Sequence, residues 1–413
     1  VAILVLAGEY SNLLARGVVS VTSEDSARPK AALSDGRQSV AYRAASAVTD
    51  LRVSVDGDLL LGRGSMESGI GFLTNISTGA GSIAEETTIV DTGSKALKLV
   101  TGASGTAAAR VAVNARAGER LNVSARLRGD GTRVARLRIF NPRTNRYLKS
   151  DGTWEVAGMA ADVATEATTT YTTKAVSFSV EAFSACRVPT LALHVILIAT
   201  ETTVGGAYVD NLALWPSWDF VSAHGTRNLG PITPKLQSSS DGSAWTTRAT
   251  GSLSLPQSFY IRNAGVRDER FAGLLLEGTN FEAIELSEVW IGAARALSRA
   301  MKPGYRVDNL VDRVSNQTPY DERFVVARSS YARRIVDLDF VFPSVALFEE
   351  ARDEVFGRSN GDEFPLVLVP VDTEPTCVLG RIDRSWQFRR TTITITEENT
   401  LRVVEAPFPP EEA

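Results

Sequence analysis

The chain has 413 residues, 44% of them hydrophobic and 22% charged, with a formal net charge of −4. That length suits two to four domains with real cores, and the composition is that of folded globular protein rather than a disordered chain. The acidic balance, with no block of like charge, argues against a nucleic-acid partner, and no apolar run approaches the roughly 20 residues of a membrane span. Two cysteines, Cys186 and Cys377, and two histidines, His194 and His224, are scattered, so neither a disulfide framework nor a zinc cluster is indicated. The apolar opening Val1–Ala7 is short for a signal-peptide core and has no basic flank. The expectation is a protein made in the cytoplasm, with release by lysis as its route to the outside.

Period-two alternation dominates the chain. Leu51, Val53 and Val55 alternate with polar residues, and the Asp56-Gly57 turn signal follows. Leu121, Val123, Ala125 and Leu127 repeat the pattern before Gly129-Asp130-Gly131, and Val176, Phe178 and Val180 repeat it after Asp151-Gly152. Asp241-Gly242 marks another turn, and Val336, Leu338 and Phe340 alternate again. Such runs are strands with one face on a core and one in water, and turns at short intervals point to all-β sandwiches. A helix is predicted from Val345 to Phe356: Ser344 is its N-cap, Leu347, Phe348, Ala351 and Val355 share a face, and Gly357 ends it. Strands at Arg334–Phe342, Phe364–Val369 and Thr391–Ile395 flank it, so the last hundred residues read as an α+β domain after a linker at Met301–Gly304. The pattern therefore reads as a mainly β fold of β-sandwich modules with a C-terminal α+β domain; the resemblances below imply that the modules are two, one of them a jelly roll.

Four segments between Gly64 and Pro216 resemble a carbohydrate-binding module of the jelly-roll group that includes families four and nine. They are Ser65-Met-Glu67-Ser-Gly69, Gly93 to Leu99, Gly118 to Leu127, and Ala207-Tyr-Val-Asp210-Asn-Leu-Ala-Leu214. The flanking pieces resemble a galactose-binding-like, discoidin-type sandwich. Ala32-Leu-Ser-Asp35-Gly36-Arg37 with Tyr42 resembles its opening, Tyr42 standing where that fold has Trp; Lys235-Leu236 to Asp241-Gly242 and Trp245 resemble a later strand, with Leu236 in place of valine; Arg270-Phe271 to Leu274 and Glu285 to Gly292 resemble its close. The segment Tyr331–Pro409, with Asp383-Arg-Ser-Trp386 and Glu405-Ala-Pro-Phe-Pro409, resembles the tail-associated part of phage tail-tip and distal tail proteins. These resemblances imply a sandwich split over 1–63 and 213–300, a jelly roll inserted at 64–212, and a tail-docking domain at 305–413. They imply a structural, adhesive component of a bacteriophage tail, located in the virion. Its partners would be other tail proteins, copies of itself in a trimer or hexamer, and a host-surface glycan. The rival is a soluble or cell-surface carbohydrate-binding protein without catalytic activity.

Sugar binding needs an aromatic face with polar groups at its rim. Tyr147, Trp154 and Tyr171 fall in or beside polar turns of the middle segment and are the candidates; the structural alternative for Trp154 is a cap on the sandwich core. Trp215 and Trp218 read as packing where the two sandwiches join, and His194 as a packed strand residue. The jelly-roll resemblance further implies a structural Ca²⁺ held by Glu67 and Asp210, against a plainer reading as two solvated rim carboxylates; no other cofactor is required. The acids at Glu85-Glu86, Glu282/Glu285/Glu288 and Asp337/Asp339 read as rim and solvent-face charges, and no nucleophile motif is present, so no catalytic residue is assigned.

Overall fold

The computed structural model describes residues 3–7, 11–34, 41–45, 49–156, 162–181, 191–224, 232–251, 258–278, 284–297, 300–301, 306–310, 313–317, 323–327, 333–342, 355, 366–370, 377–382, 388–389 and 397–405. Among these residues the architecture is mainly β, in antiparallel sheets joined by turns and short 3-10 segments. Among the described residues no helix is long and apolar enough to cross a membrane. Most of the helix predicted at 345–356, the strand at 391–395, the Asp383–Trp386 motif and the Asp35–Arg37 part of the discoidin-like opening lie outside the described residues. So does Cys186, while Cys377 is buried.

The chain divides into two compact units, one of residues 57–183 and 190–217, the other of 1–56, 184–189 and 218–413. In the first, a seven-stranded and a five-stranded sheet face each other. The inward phase of each alternating strand fills the space between them: Leu121, Val123, Ala125 and Leu127 from one sheet, Ala135, Leu137, Ile139, Leu193, Val195 and Leu197 from the other, all essentially inaccessible. The Asp-Gly turn signals work by a shared mechanism. Asp130 Oδ1 accepts from the N–H groups of Thr132 and Arg133 at 3.0 and 2.8 Å, and Asp151 Oδ1 from that of Thr153 at 2.9 Å. In the second unit Asp241 Oδ1 accepts from Ser243 and Ala244 at 2.8 and 3.0 Å, and Gly242 takes the left-handed φ of 79° that a side chain would resist. These donors hold the Asp241 carboxyl far below the usual carboxylate range.

The second unit is built in layers. A five-stranded sheet, in which Asp50–Asp56 lies between Phe271–Gly278 and Val18–Val21, packs through Leu51, Val53, Val55, Leu274 and Leu276 onto a three-stranded sheet of Ser258–Arg267, Trp218–His224 and Glu288–Gly292. Trp218, expected at a join between sandwiches, sits inside this core with no exposed surface, and its Nε1 donates to Glu269 O at 3.0 Å. The three-stranded sheet is covered on both faces. Phe220 and Trp290 on its other side pack against Leu4, Leu6, Val367, Val369, Cys377 and Leu379 of a further sheet. That sheet contains the C-terminal strands Arg333–Phe342, Leu366–Val369, Val378–Ile382 and Glu397–Glu405, and also Ile3–Ala7 from the start of the chain. The first strand, grouped by sequence with residues 1–63, thus pairs with Leu366–Val369 on one edge and Arg295–Leu297 on the other.

Candidate functional site

The seven-stranded sheet of the 57–217 unit has an outward face with an unusual composition. Tyr147, Phe140, His194 and Ala112 are consecutive cross-strand partners on the neighbouring strands Arg146–Leu148, Ala135–Asn141, Leu191–Ala199 and Ala107–Ala115. One row along, Arg138, Ile196, Arg110 and Thr74 are partners in the same way. In the next row Arg136 opposes Ile198 and Ile198 opposes Ala108. Because successive residues of a strand point to opposite faces, all these side chains share the side away from the core.

Three features set its chemistry. Phe140 and Tyr147 form a tilted ring pair with centroids 4.7 Å apart, and the His194 ring lies 5.9 Å from Phe140. All three are half-buried, so ring surface stays accessible. Below them Ala108, Ile196 and Ile198, backed by Ile76, make a small apolar floor of their own. Flanking charges are locked in pairs: Arg138 Nε donates to Asp162 Oδ1 at 2.6 Å, and Arg136 reaches Asp162 at 3.3 Å and Glu201 at 2.7 Å. His194 is held below its ordinary pKa, first by burial and then by the nearby charge of Arg110, which keeps the imidazole neutral near pH 7. Accessible aromatic rings beside an apolar floor with a polar margin can stack on the C–H face of a pyranose.

The three aromatic candidates from the sequence do not form one platform. Tyr147 belongs to the face just described. Trp154 pairs with Leu148 in register, so it points to the opposite, core side; its Nε1 donates to Ser179 O at 3.1 Å and its ring meets Phe178 edge-on at 6.3 Å. It lids the core. Tyr171 belongs to the other sheet's margin, where its hydroxyl donates to Ile89 O at 2.9 Å and the Arg128 guanidinium lies 5.8 Å over its ring. Burial, then the charge of Asp210, raises its phenol pKa. Phe140, His194 and Arg110 were missed, although a signal existed. In Ala135–Asn141 the outward phase reads Arg136, Arg138, Phe140, and in Leu191–Ala199 it includes His194, Ile196 and Ile198. Aromatic and aliphatic residues in the polar phase of a strand are the mark of a face meant to be covered.

Glu67 and Asp210 do converge, on one loop. Asp210, fully buried, accepts from the N–H groups of Asp91, Thr92 and Asn211 at 3.1, 3.3 and 2.7 Å. Burial raises its pKa despite these donors. Glu67 accepts from the N–H groups of Ser94 at 3.0 Å and Lys95 at 3.2 Å and from Ser94 Oγ at 2.8 Å, which lowers its pKa. Among the described residues no three His, Cys, Asp or Glu side chains are grouped to hold a metal. Because N–H donors already occupy both carboxylates, a chelator is expected to leave the melting temperature unchanged. A fall of several degrees in EDTA, restored by Ca²⁺, would instead assign an ion to the remaining lone pairs.

No protein-family profile matches the sequence, and no curated protein matches it. Solved structures do. One is the enzymatically active domain of tailspike protein 4 from bacteriophage CBA120, at 14% identity and a TM-score of 0.28, over 37% of this chain and 21% of that one. Another is the CBM22-1 xylan-binding domain of Xyn10C from Paenibacillus barcinonensis, at 12% identity and 0.26, over 37% of this chain and 90% of that one. A third is a family 16 carbohydrate-binding module, at 16% identity and 0.27, over 37% and 95% respectively.

Proposed function

We propose that this protein is a structural, adhesive component of a bacteriophage tail, and that the outward face of the seven-stranded sheet contacts a host-surface glycan. The half-buried Phe140–Tyr147 pair on a sheet face with its own apolar floor carries the glycan reading. The tail reading is supported by the resemblance of Tyr331–Pro409 to tail-associated domains. Other tail proteins and further copies of this chain, in three- or six-fold closure, are its partners. The role proposed is binding rather than catalysis: among the described residues Asp162 and Glu201 on this face are tied to Arg136 and Arg138, and Glu155 beside Tyr147 is tied to Lys149, whereas a glycosidase uses a free carboxylate pair.

Substituting Phe140→Ala or Tyr147→Ala is expected to lower retention on host-surface polysaccharide at least ten-fold with little change in melting temperature, since neither ring belongs to the main core. Trp154→Ala should do the reverse, destabilising the unit by about 3 kcal/mol as a lid residue. Unchanged retention in both ring variants would remove the face from consideration. Mass spectrometry of purified particles tests the tail assignment. Absence from tails, with presence among proteins secreted by the host, would favour a free carbohydrate-binding protein.

A further inference from the structure

The charges on the same face are unevenly satisfied. Arg136 and Arg138 are neutralised by Asp162 and Glu201 at 2.6 to 3.3 Å. At the rim, Glu155 is engaged by Lys149 at 3.3 Å. Arg110 differs: among the described residues no carboxylate lies within ion-pair distance of its guanidinium. Its position is central. It is the cross-strand partner of Ile196 in the apolar floor and lies one row from His194 and Ala112. With strands about 4.8 Å apart and same-face residues about 6.8 Å apart along a strand, its Cα is roughly 8 Å from that of His194 and roughly 12 Å from that of Phe140. One sugar unit and the length of an arginine side chain together bridge such a gap. Ala112, small and exposed, leaves room over the sheet at that point. After burial, the Arg110 charge is the second cause that lowers the His194 pKa.

We infer that the face takes an anionic saccharide, bearing a carboxylate or phosphate group, with its ring on Phe140 and Tyr147 and its acidic group on Arg110. This rests on the glycan reading above and specifies its ligand class. The planar guanidinium suits either oxyanion, because two parallel N–H donors match two acceptor oxygens. A neutral glycan would leave that cation without a counter-charge in a half-buried site, which disfavours it.

The test uses the full chain on an array of paired polysaccharides. Polygalacturonate and hyaluronan stand beside their carboxyl-reduced forms, and a wall teichoic acid beside its phosphate-free repeat. Wild-type protein is expected to bind at least one acidic member ten-fold or more tightly than its neutral partner, the pair involved distinguishing carboxylate from phosphate. Arg110→Gln should erase that preference, Arg110→Lys should keep part of it, and raised salt should weaken acidic binding alone. Equal binding to both members of every pair, or a preference that survives in Arg110→Gln, overturns the inference while leaving the glycan reading standing. Silence across the whole array removes both. Matching melting temperatures for the three proteins separate lost recognition from lost fold, and Phe140→Ala, which should weaken acidic and neutral binding alike, reports on the platform independently.

Discussion

Removing residues 1–7 is expected to unfold the sheet that carries the C-terminal strands, although those strands begin more than three hundred positions later. Ile3–Ala7 is an interior strand of that sheet. Leu4, Val5, Leu6 and Ala7 register with Val369, Leu368, Val367 and Leu366, while Ile3, Leu4 and Val5 register with Leu297, Ala296 and Arg295 on the other edge. Leu4 and Leu6 are 1% and 2% exposed and pack with Phe220, Trp290, Val367, Val369 and Leu379. Each leucine truncated to alanine in such a core costs about 2–5 kcal/mol. Deletion removes both, and also leaves two strands with unpaired N–H and C=O groups. The sum rivals the roughly 5–15 kcal/mol by which a domain is stable at all. Leu4→Ala/Leu6→Ala is the milder version, expected to cost about 5 kcal/mol. Hydrogen exchange at the amides of 366–369 reads both variants. Full protection there in the deletion variant would show that the first strand is dispensable.

Asp58→Ala is expected to destabilise the 57–217 unit by about 3–5 kcal/mol, a large effect for one polar side chain. Asp58 is 1% exposed, and its carboxylate gathers three backbone donors. Oδ1 accepts from Leu60 and Leu214, each at 3.1 Å, and Oδ2 accepts from Gly62 at 3.0 Å. The residue therefore ties the first loop of the unit to its last strand, Gly205–Pro216, beside the 2.7 Å bond from Leu59 N to Leu214 O. Alanine leaves the N–H groups of Leu60 and Leu214 buried without acceptors, each costing about 1–3 kcal/mol, and also releases that of Gly62, which water can reach. Asparagine retains one oxygen and should lose roughly half as much. The same closure leaves no room at Gly64, where a Cβ would stand 1.7 Å from Leu212 O, so Gly64→Ala should be comparably damaging. Urea unfolding with hydrogen exchange followed in Arg120–Arg128 measures the cost. A loss below 1 kcal/mol for Asp58→Ala would mean that the loop finds other acceptors.

Local sequence determined much of this protein by itself. Alternation located the strands at Asp50–Asp56, Arg120–Arg128, Thr172–Ser179 and Arg333–Phe342, because a period of two can satisfy only an extended chain with one covered face. The Asp-Gly pairs located turns, because aspartate captures the next N–H groups and glycine accepts positive φ. Tyr147 was legible as an aromatic beside a polar turn. Tertiary structure decided the rest. Alternation shows that a face is covered but not by what, so Phe140 and His194 looked like ordinary strand residues until register placed them beside Tyr147, and Trp154 looked like its neighbour until register turned it inward. Trp218–His224, buried at every position, lacks a clean alternation because it is the middle layer, with Val221 and Ala223 on one core and Phe220 on another. The compact unit of residues 57–183 and 190–217 is closed by bonds from Asp58 and Leu59 to Leu214 across more than 150 positions, which no local pattern announces. The first strand pairs with one near residue 367, a partner no local pattern can name, because hydrogen-bonding capacity is the same at every backbone position and only the fold chooses which edges meet.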